Sequence, residues 1–307
     1  MLVYTRVFRS LEHHKVFMSS SDFFQRFHFE SLGIRGELVR LNESWRQTQG
    51  TTEYPEAIAS ALGQSLAASV LLSGTIKFEG SLILQIQSNG PLRTLVAQTT
   101  HQRTIRGLAH WKNPIPNTDL RQLCPDGRLV ITIQNNEADP YQGIVAIDEN
   151  SLSGALESYF SQSEQLATRL WLDADKHTAT GLFLQVFPGT SRDSEDWNRI
   201  MHLSETITST ELRNLPPEEI LHRLYHEETV RLSEAEPVVF RCGCQRERIE
   251  TVLLTLGEAE ISDIISKNES VDVHCDFCNR LYRFDRVDVA ALFNDKTTLK
   301  HPGKHHH

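Results

Sequence analysis

The amino-acid sequence predicts an α+β protein with an N-terminal antiparallel sheet and packed helices, a helical linker and a small C-terminal zinc-binding module. Three observations predict this class. An apolar helix pattern is followed after residue 75 by short alternating segments between turn residues, and four of the five cysteines lie close together near the C-terminus. We place the core domain at residues 18–190, the linker at 191–237 and the zinc-binding module at 238–294.

The first element of the predicted core is a helix over residues 56–73. Apolar residues recur there every four positions and form one stripe, which we expect to face the core. The residues of this stripe are Ile58, Leu62, Leu66 and Val70.

A series of short strands follows this helix and predicts the antiparallel sheet. Residues 81–87 alternate between apolar and polar side chains, a Ser-Asn-Gly-Pro turn follows, and residues 92–98 form the return strand. Further strands are predicted over residues 104–111, 127–134, 142–148, 169–172 and 181–186. A helix that begins at Leu152 and ends near Leu166 interrupts the series.

The linker is predicted to contain two helices over residues 195–227, separated at Pro216-Pro217. Glu218 and Glu219 favour the N-terminus of the second helix, and its apolar face is narrow. Residues 231–237 are expected to connect these helices to the zinc-binding module. Because such helices have little apolar surface to bury, they should depend on neighbouring elements for their stability.

Composition argues against several classes of function. The net charge is -9 and the pI about 5.9, so we expect no nucleic-acid or anionic-membrane partner. No segment is expected to reach the roughly 18–20 apolar residues of a membrane span. We interpret residues 1–17 as an extension before a native start at Met18, and residues 295–307 as a tail that ends in a tag remnant, His305–His307.

The four clustered cysteines predict a zinc site formed by Cys242, Cys244, Cys275 and Cys278. Two close pairs can each supply two corners of a tetrahedral thiolate site. Such pairs suit a metal in a reducing compartment, so the cytoplasm is the expected location. Structural zinc contributes roughly 10–16 kcal/mol to the free energy of folding, and a module of this size has only a small core. The metal should therefore decide whether the module folds.

Other candidate residues are assigned no special chemistry. Cys124 is expected to be an ordinary buried thiol, and His274 is not needed because four thiolates already complete a zinc shell. His222 and His226 have helical i, i+4 spacing but lack the glutamate of a zincin motif, so we interpret them as surface residues. The sequence has neither a P-loop nor a convincing catalytic triad, and we expect no enzyme.

Three functions remain open at this point. A structural zinc ribbon for nucleic acid is disfavoured because residues 238–294 contain seven Lys and Arg against ten Asp and Glu. A thiol oxidoreductase would place its Cys-x-x-Cys at the start of a helix, whereas strand-like residues flank this pair. The third function is a redox switch that alters a binding surface, because thiolates are the species that oxidants attack.

Several motifs resemble the heat shock protein 33 family of redox-regulated holdase chaperones. The most specific are Phe240-Arg-Cys-Gly-Cys-Gln-Arg-Glu-Arg and His274-Cys-Asp-Phe-Cys. Supporting stretches are Ile34-Arg-Gly-Glu-Leu-Val, Glu157-Ser-Tyr-Phe-Ser-Gln-Ser-Glu-Gln and Arg223-Leu-Tyr-His-Glu-Glu. The resemblance extends from about Met18 to about Phe293.

The resemblance implies an ATP-independent chaperone of the oxidative stress response that is inactive when reduced and zinc-bound. Oxidation would join Cys242 to Cys244 and Cys275 to Cys278, release Zn²⁺ and unfold the module and the linker. A surface that binds unfolded client proteins would thereby be exposed, and the oxidised form would be a homodimer. A constitutive zinc-containing interaction module and a thiol oxidoreductase are the alternatives.

Overall fold

A computed structural model describes residues 22–115, 119–136, 138–189 and 195–294. The chain divides into two compact units, and the boundary falls between Arg241 and Cys242. The predicted extension at residues 1–17 and the tail at 295–307 lie outside the described residues. The sequence also predicts a loop at residues 188–193, and most of it lies outside the described residues as well.

The described elements are mixed helix and strand, which confirms the predicted α+β class. In chain order, the strands are β1 (Phe23–Phe29), β2 (Ile34–Leu41), β3 (Gly80–Gln87), β4 (Leu92–Thr100), β5 (Thr104–Trp111), β6 (Arg128–Asn135), β7 (Ala138–Ala146), β8 (Thr168–Ala174), β9 (Ala179–Val186), β10 (Val230–Leu232), β11 (Glu236–Pro237), β12 (Val239–Phe240), β13 (Ser270–His274) and β14 (Leu281–Asp285). The helices are α1 (Glu43–Gln49), α2 (Glu56–Thr75), α3 (Leu120–Leu123), α4 (Leu152–Tyr159), α5 (Glu195–Ser204), α6 (Ser209–Asn214), α7 (Pro217–Tyr225), α8 (Arg246–Leu256), α9 (Glu258–Asn268) and α10 (Arg286–Asn294). A π-helical turn, Phe160–Glu164, continues α4.

The first unit contains two six-stranded sheets instead of the single sheet that the sequence predicted. The first sheet has the order β10-β1-β2-β9-β8, and β11 also pairs with β1. The second has the order β12-β5-β4-β3-β6-β7. Every pairing is antiparallel except that of β12 with β5, which is parallel. The sequence missed the first sheet's extent because β2 carries charged residues, Arg35, Glu37 and Arg40, in the middle of a strand.

Helix α2 lies between the two sheets and confirms the predicted helix over residues 56–73. It contacts β8 and β9 on one side and β4 and β5 on the other. The four stripe residues are fully buried, and so are Ala67, Ala68 and Leu71 on other sides of the helix. A helix covered on both sides can be apolar nearly all round.

This two-sided burial corrects one expectation from the sequence. By length and composition α2 does qualify as a membrane span, and it is the one helix of the described residues that does. However, 67% of its most apolar window is buried inside the protein. Contact with two sheets therefore accounts for its apolar character.

The opposite face of the first sheet is covered by helices α5, α6 and α7. These helices, β1, β2 and β9 share one buried cluster, in which Ile200, Leu212 and Ile220 from the helices meet Leu38 and Leu184 from the sheet. All eight residues of β9 are buried, because α2 covers one face of this strand and the linker helices cover the other.

The linker differs from its prediction in two respects. Its described residues, 195–237, form three helices, since a capping box at Thr208 and Glu211 begins a helix that the sequence pattern does not separate from α5. Residues 231–237, predicted only as a connecting segment, contain most of β10 and all of β11, both paired with β1. Strands of two or three residues have no alternation to detect, because they are defined by their partner strand.

The second unit has a small core of its own. Helices α8 and α9 pack with the β13–β14 hairpin and α10, and Leu253, Ile261 and Phe284 are at most 2% exposed. Between the two cysteine pairs the sequence also predicts helices over residues 246–256 and 260–266. Helix α8 has the first of these bounds, and α9 is longer than the second prediction at both ends. The strands expected on both sides of the second cysteine pair are confirmed. Helix α10 was not predicted.

Candidate metal centre

The four cysteines come from two short loops of the second unit. Cys242 and Cys244 follow β12 and precede α8, while Cys275 and Cys278 lie in the turn between β13 and β14. The hairpin determines the second pair's position. The amide of Cys275 donates to the carbonyl of Arg280 at 3.0 Å, and the amide of Asn279 donates to the carbonyl of Cys275 at 2.7 Å.

The four sulfur atoms form one compact cluster. All four Sγ atoms lie within 4.8 Å of one another. Two of the Sγ–Sγ separations are 3.6 Å between Cys242 and Cys275 and 3.4 Å between Cys244 and Cys278. In a tetrahedral site with Zn–S bonds of about 2.3 Å, neighbouring sulfurs would be about 3.8 Å apart. The spacing therefore fits one thiophilic ion held by all four sulfurs.

The donor set also fits a soft or borderline metal. Sulfur-only sites favour zinc, copper(I) or iron–sulfur clusters over calcium and magnesium, which prefer oxygen. Cys275 is buried and the other three cysteines are half-buried, so the cluster is sheltered without being sealed from solvent. All four are free thiols in this structure.

Tyr282 is a neighbour of the cluster that sequence reasoning treated only as a strand residue. Its Oη donates a hydrogen bond to Cys244 Sγ at 3.1 Å. Burial acts to raise the pKa of Cys244, but the hydrogen bonds from Tyr282 and the neighbouring thiols lower it to about 7. Burial raises the pKa of Cys242 and of Cys278 above the usual range. Only the tertiary fold brings Tyr282 to Cys244, so the sequence held no signal for it.

Arg246 connects three parts of the second unit close to the cluster. Its guanidinium lies 4.1 Å from the centre of the Phe284 ring, pairs with Asp288 at 2.9 Å and donates to the carbonyl of Arg283 at 3.1 Å. These contacts join α8 to β14 and α10. Gly243, between the cysteines of the first pair, has a backbone outside the left-handed region, and a Cβ there would meet nothing closer than 3.9 Å.

The other sequence candidates lie outside the cluster. Cys124 is fully buried in the first unit, where burial raises its pKa to about 12. His274 is exposed, and among the described residues the only group of three or more potential ligands is the four cysteines. His222 on α7 and His226, the residue after its last turn, are exposed, and their ring centres are 6.1 Å apart.

Comparisons with known proteins agree with one another over most of the chain. The family model described as Hsp33 protein matches residues 22–285. A protein named 33 kDa chaperonin from Nitrosococcus oceani is 52% identical over 279 residues, which cover 91% of this chain and 96% of that protein. Its namesake from Vibrio cholerae is 40% identical over 279 residues, with 89% and 96% covered.

A solved structure shows the same fold. It is the crystal structure of a 33 kDa chaperonin, a heat shock protein 33 homolog, from Thermotoga maritima. Its TM-score is 0.74 at 22% identity, and the match covers 90% of this chain and 99% of that one.

Proposed function

Because the chain belongs to the Hsp33 protein family and so has a chaperone function, we propose that it is an ATP-independent holdase that oxidation switches on. The observation that carries this proposal is the cluster of four sulfurs within 4.8 Å in a unit whose core is small. A site of this kind can be both the structural support of a unit and the target of an oxidant.

In the inactive state, Cys242, Cys244, Cys275 and Cys278 hold Zn²⁺ as four thiolates. The metal supplies folding free energy, roughly 10–16 kcal/mol for structural zinc. Arg246 and Tyr282 orient the loops around the sulfurs through the contacts described above. No catalytic turnover is required of any residue, which is why we propose a chaperone that is not an enzyme.

In the activating step, the two thiolate pairs lose four electrons and become two disulfides, while two molecules of hydrogen peroxide take up those electrons with four protons and become four waters. Zn²⁺ leaves because disulfide sulfur is a poor ligand. We propose the pairs Cys242–Cys244 and Cys275–Cys278. Sulfur contacts of 3.6 Å and 3.4 Å also join Cys242 to Cys275 and Cys244 to Cys278, so crossed pairing is within reach as well. Mapping of the disulfides by mass spectrometry therefore discriminates local from crossed pairing.

The linker is the proposed element that responds. Strand β12, which follows the linker, ends two residues before Cys242, so unfolding of the second unit frees the chain at the C-terminal end of the linker. Release of α5–α7 would expose the apolar cluster beneath them. Its sheet residues are Phe27, Phe29, Ile34, Leu38, Leu182, Leu184 and Val186. Burial of each of these side chains under the linker helices stabilises the folded state by about 1.5–3 kcal/mol. When exposed, the same side chains would bind the apolar segments of unfolded clients.

The test measures zinc content, free thiols and suppression of client aggregation on the same samples before and after peroxide. We expect loss of four thiols, release of one zinc per chain and a gain of suppression. Cys124→Ala is the matched control, since this thiol is buried in the first unit and should leave all three readouts unchanged.

Two results favour the alternatives. Client binding that is indifferent to peroxide would indicate a constitutive zinc-containing interaction module, and catalytic turnover of disulfide substrates would indicate a thiol oxidoreductase. We further propose cytoplasmic location, homodimer formation of the oxidised protein and the absence of nucleic-acid and membrane partners. The last point is supported by the acidic balance of residues 238–294.

A further inference from the structure

The outer edge of β1 is occupied by a segment of the chain's own linker. β10 and β11 both pair antiparallel with β1, which places Val230–Leu232 opposite Phe27–Phe29 and Glu236–Pro237 opposite Phe23 and Phe24. We call residues 229–237 the linker strap. Without this strap, β1 would be the terminal strand of the first sheet, because its other edge pairs with β2.

The backbone groups that β1 gives to the strap can be assigned from the register. The Ser233 amide donates to the Arg26 carbonyl at 2.9 Å, and the Glu30 amide donates to the Thr229 carbonyl at 3.0 Å. His28 lies midway between these bonds and opposite Arg231. Because antiparallel bonding alternates along a strand, the backbone groups of His28 also face the strap. The amides of Phe27 and Phe29 face β2.

The strap binds this edge in the way that an extended apolar peptide would, with alternate side chains against the apolar cluster. Val230 and Leu232 alternate with Arg231, and both pack against the apolar cluster that the linker helices cover. Arg231 is exposed and pairs with Glu30. Only five residues of the strap are in strand conformation, and short edge pairs of this length are weak without neighbouring support.

We propose that an extended apolar segment of an unfolded client adds to the edge of β1 in place of the linker strap. The strap is then an internal substitute for the client, and the apolar cluster receives the client's alternate side chains as it now receives Val230 and Leu232. This inference rests on the proposed function, since the strap must leave before a client can pair.

Edge pairing also explains how one surface accepts many sequences. An uncovered β1 edge presents unpaired N–H and C=O groups, and these bind any extended backbone regardless of its side chains. The apolar face alone would select only for hydrophobicity. The two together select for segments that are both apolar and unfolded.

Residue-resolved hydrogen exchange tests the edge directly in the wild-type protein. We expect oxidation to speed exchange of the His28 and Glu30 amides at least tenfold, and bound client to slow it again by a similar factor. The Phe27 and Phe29 amides are internal controls, since their bonds to β2 should keep exchange slow in every state. Aggregation suppression is measured on the same samples.

The two proposals fail in distinguishable ways. If oxidised protein suppresses aggregation while the His28 and Glu30 amides exchange equally fast with and without client, clients bind elsewhere and the edge inference is overturned alone. If oxidised protein does not suppress aggregation, the proposed function fails and the inference with it.

A variant pair provides a second readout. His28→Pro removes the backbone donor that faces the strap, whereas His28→Ala keeps it. Proline is tolerated at this position once the strap has left and β1 is an edge strand. The His28 side chain is exposed, so neither change alters the apolar cluster. We expect oxidised H28P to hold client at least tenfold more weakly than oxidised H28A, at equal release of zinc. Equal affinity of the two variants would overturn the inference.

Discussion

At the scale of single residues, Glu236 connects the linker to the first unit through two arginines. Its Oε1 pairs with Arg26 at 2.6 Å and its Oε2 with Arg103 at 3.1 Å. The Arg103 side chain is only 7% exposed and its guanidinium lies 4.0 Å from the centre of the Phe24 ring. A carboxylate from the linker therefore balances a buried cation of the core.

The first prediction concerns this carboxylate. Glu236→Gln leaves the buried Arg103 with a weaker hydrogen-bond partner. Because the Glu236 side chain is 40% exposed, the linker should lose only about 1–2 kcal/mol of the free energy that holds it on the first unit. We expect the variant to acquire chaperone activity after shorter exposure to peroxide. Glu234→Gln, at an exposed position of the same strap, is the control. Equal activation times for the two variants would contradict the role of Glu236.

Glu37 is a buried carboxyl group that should make stability depend on pH. Burial raises its pKa to about 8, against the opposing effect of Arg35, Arg26 and Arg103, while the charge of Glu236 raises it further. Its Oε2 atom is one of the buried polar atoms without a hydrogen-bond partner among the described residues. The folded protein therefore keeps this group protonated where the unfolded chain ionises it.

The second prediction follows from the sign of that shift. Between about pH 4.5 and pH 8 the folded state binds one more proton at Glu37 than the unfolded state, so its contribution to stability falls as pH rises through this window. Glu37→Gln imitates the protonated form and should remove this dependence. We expect the free energy of unfolding of the variant to exceed that of the wild type by up to about 4 kcal/mol at pH 8 and by little at pH 5. Denaturant unfolding of the reduced protein at both pH values measures the difference, and a gain that is equal at the two pH values would disprove the assignment.

At the scale of elements, helix α7 shows how little surface holds the linker on the sheet. Its buried residues are Ile220, Leu221, Leu224 and Tyr225. The Tyr225 ring meets Phe29 edge-on at 4.9 Å, and its Oη is hydrogen-bonded to Ser204 at 2.7 Å. Helix α6 adds a polar contact, since Arg40 donates to the carbonyls of Leu212 and Leu215.

The third prediction weakens this helix without touching the metal site. Ile220→Ala removes a side chain that is 1% exposed, and large-to-small changes of this kind cost about 2–4 kcal/mol. We expect the variant to bind client at lower peroxide exposure while its zinc content stays at the wild-type value. His222→Ala, on the exposed side of the same helix, should behave as wild type. If I220A activates no earlier than H222A, release of α7 is not the limiting event.

Which elements could be predicted depends on where their determinants lie. The helix over residues 56–73 and the cysteine pairs depend on spacing within a few residues, and the sequence shows both directly. Strand β2 was missed because Arg35 and Arg40 are held there by partners far away in the chain, and because burial in the fold raises the pKa of Glu37. The strands of the linker strap are defined only by their pairing with β1, which no local pattern records.

At the scale of the whole molecule, two units of very different size differ in what holds them together. The first unit has a core helix between two sheets and two large buried clusters. The second has eight buried residues in its cluster, one of which is a cysteine of the proposed metal site. Since small cores rarely supply more than about 3–5 kcal/mol, the second unit should depend on its metal and the first should not.

The fourth prediction separates metal loss from oxidation. A zinc chelator added to the reduced protein should unfold α8, α9 and α10 while α2 stays protected from hydrogen exchange. Loss of the metal removes about 10 kcal/mol or more of folding free energy from a unit whose small core contributes little stability. Exchange followed by mass spectrometry on the reduced protein, with and without chelator, reports both units together. A second unit that stays protected after zinc has left would contradict a structural role for the metal.

The burial of β9 on both faces has a consequence for the solubility of the activated protein. Its sequence, Ala-Thr-Gly-Leu-Phe-Leu-Gln-Val, has no charged residue and is rich in residues that favour cross-β association. Release of the linker helices would expose one face of β9, and the chaperone would then carry an aggregation-prone segment like those of its unfolded clients. Activated molecules should then compete with clients for one another's surfaces, so that the usable lifetime of the active form shortens as its own concentration rises.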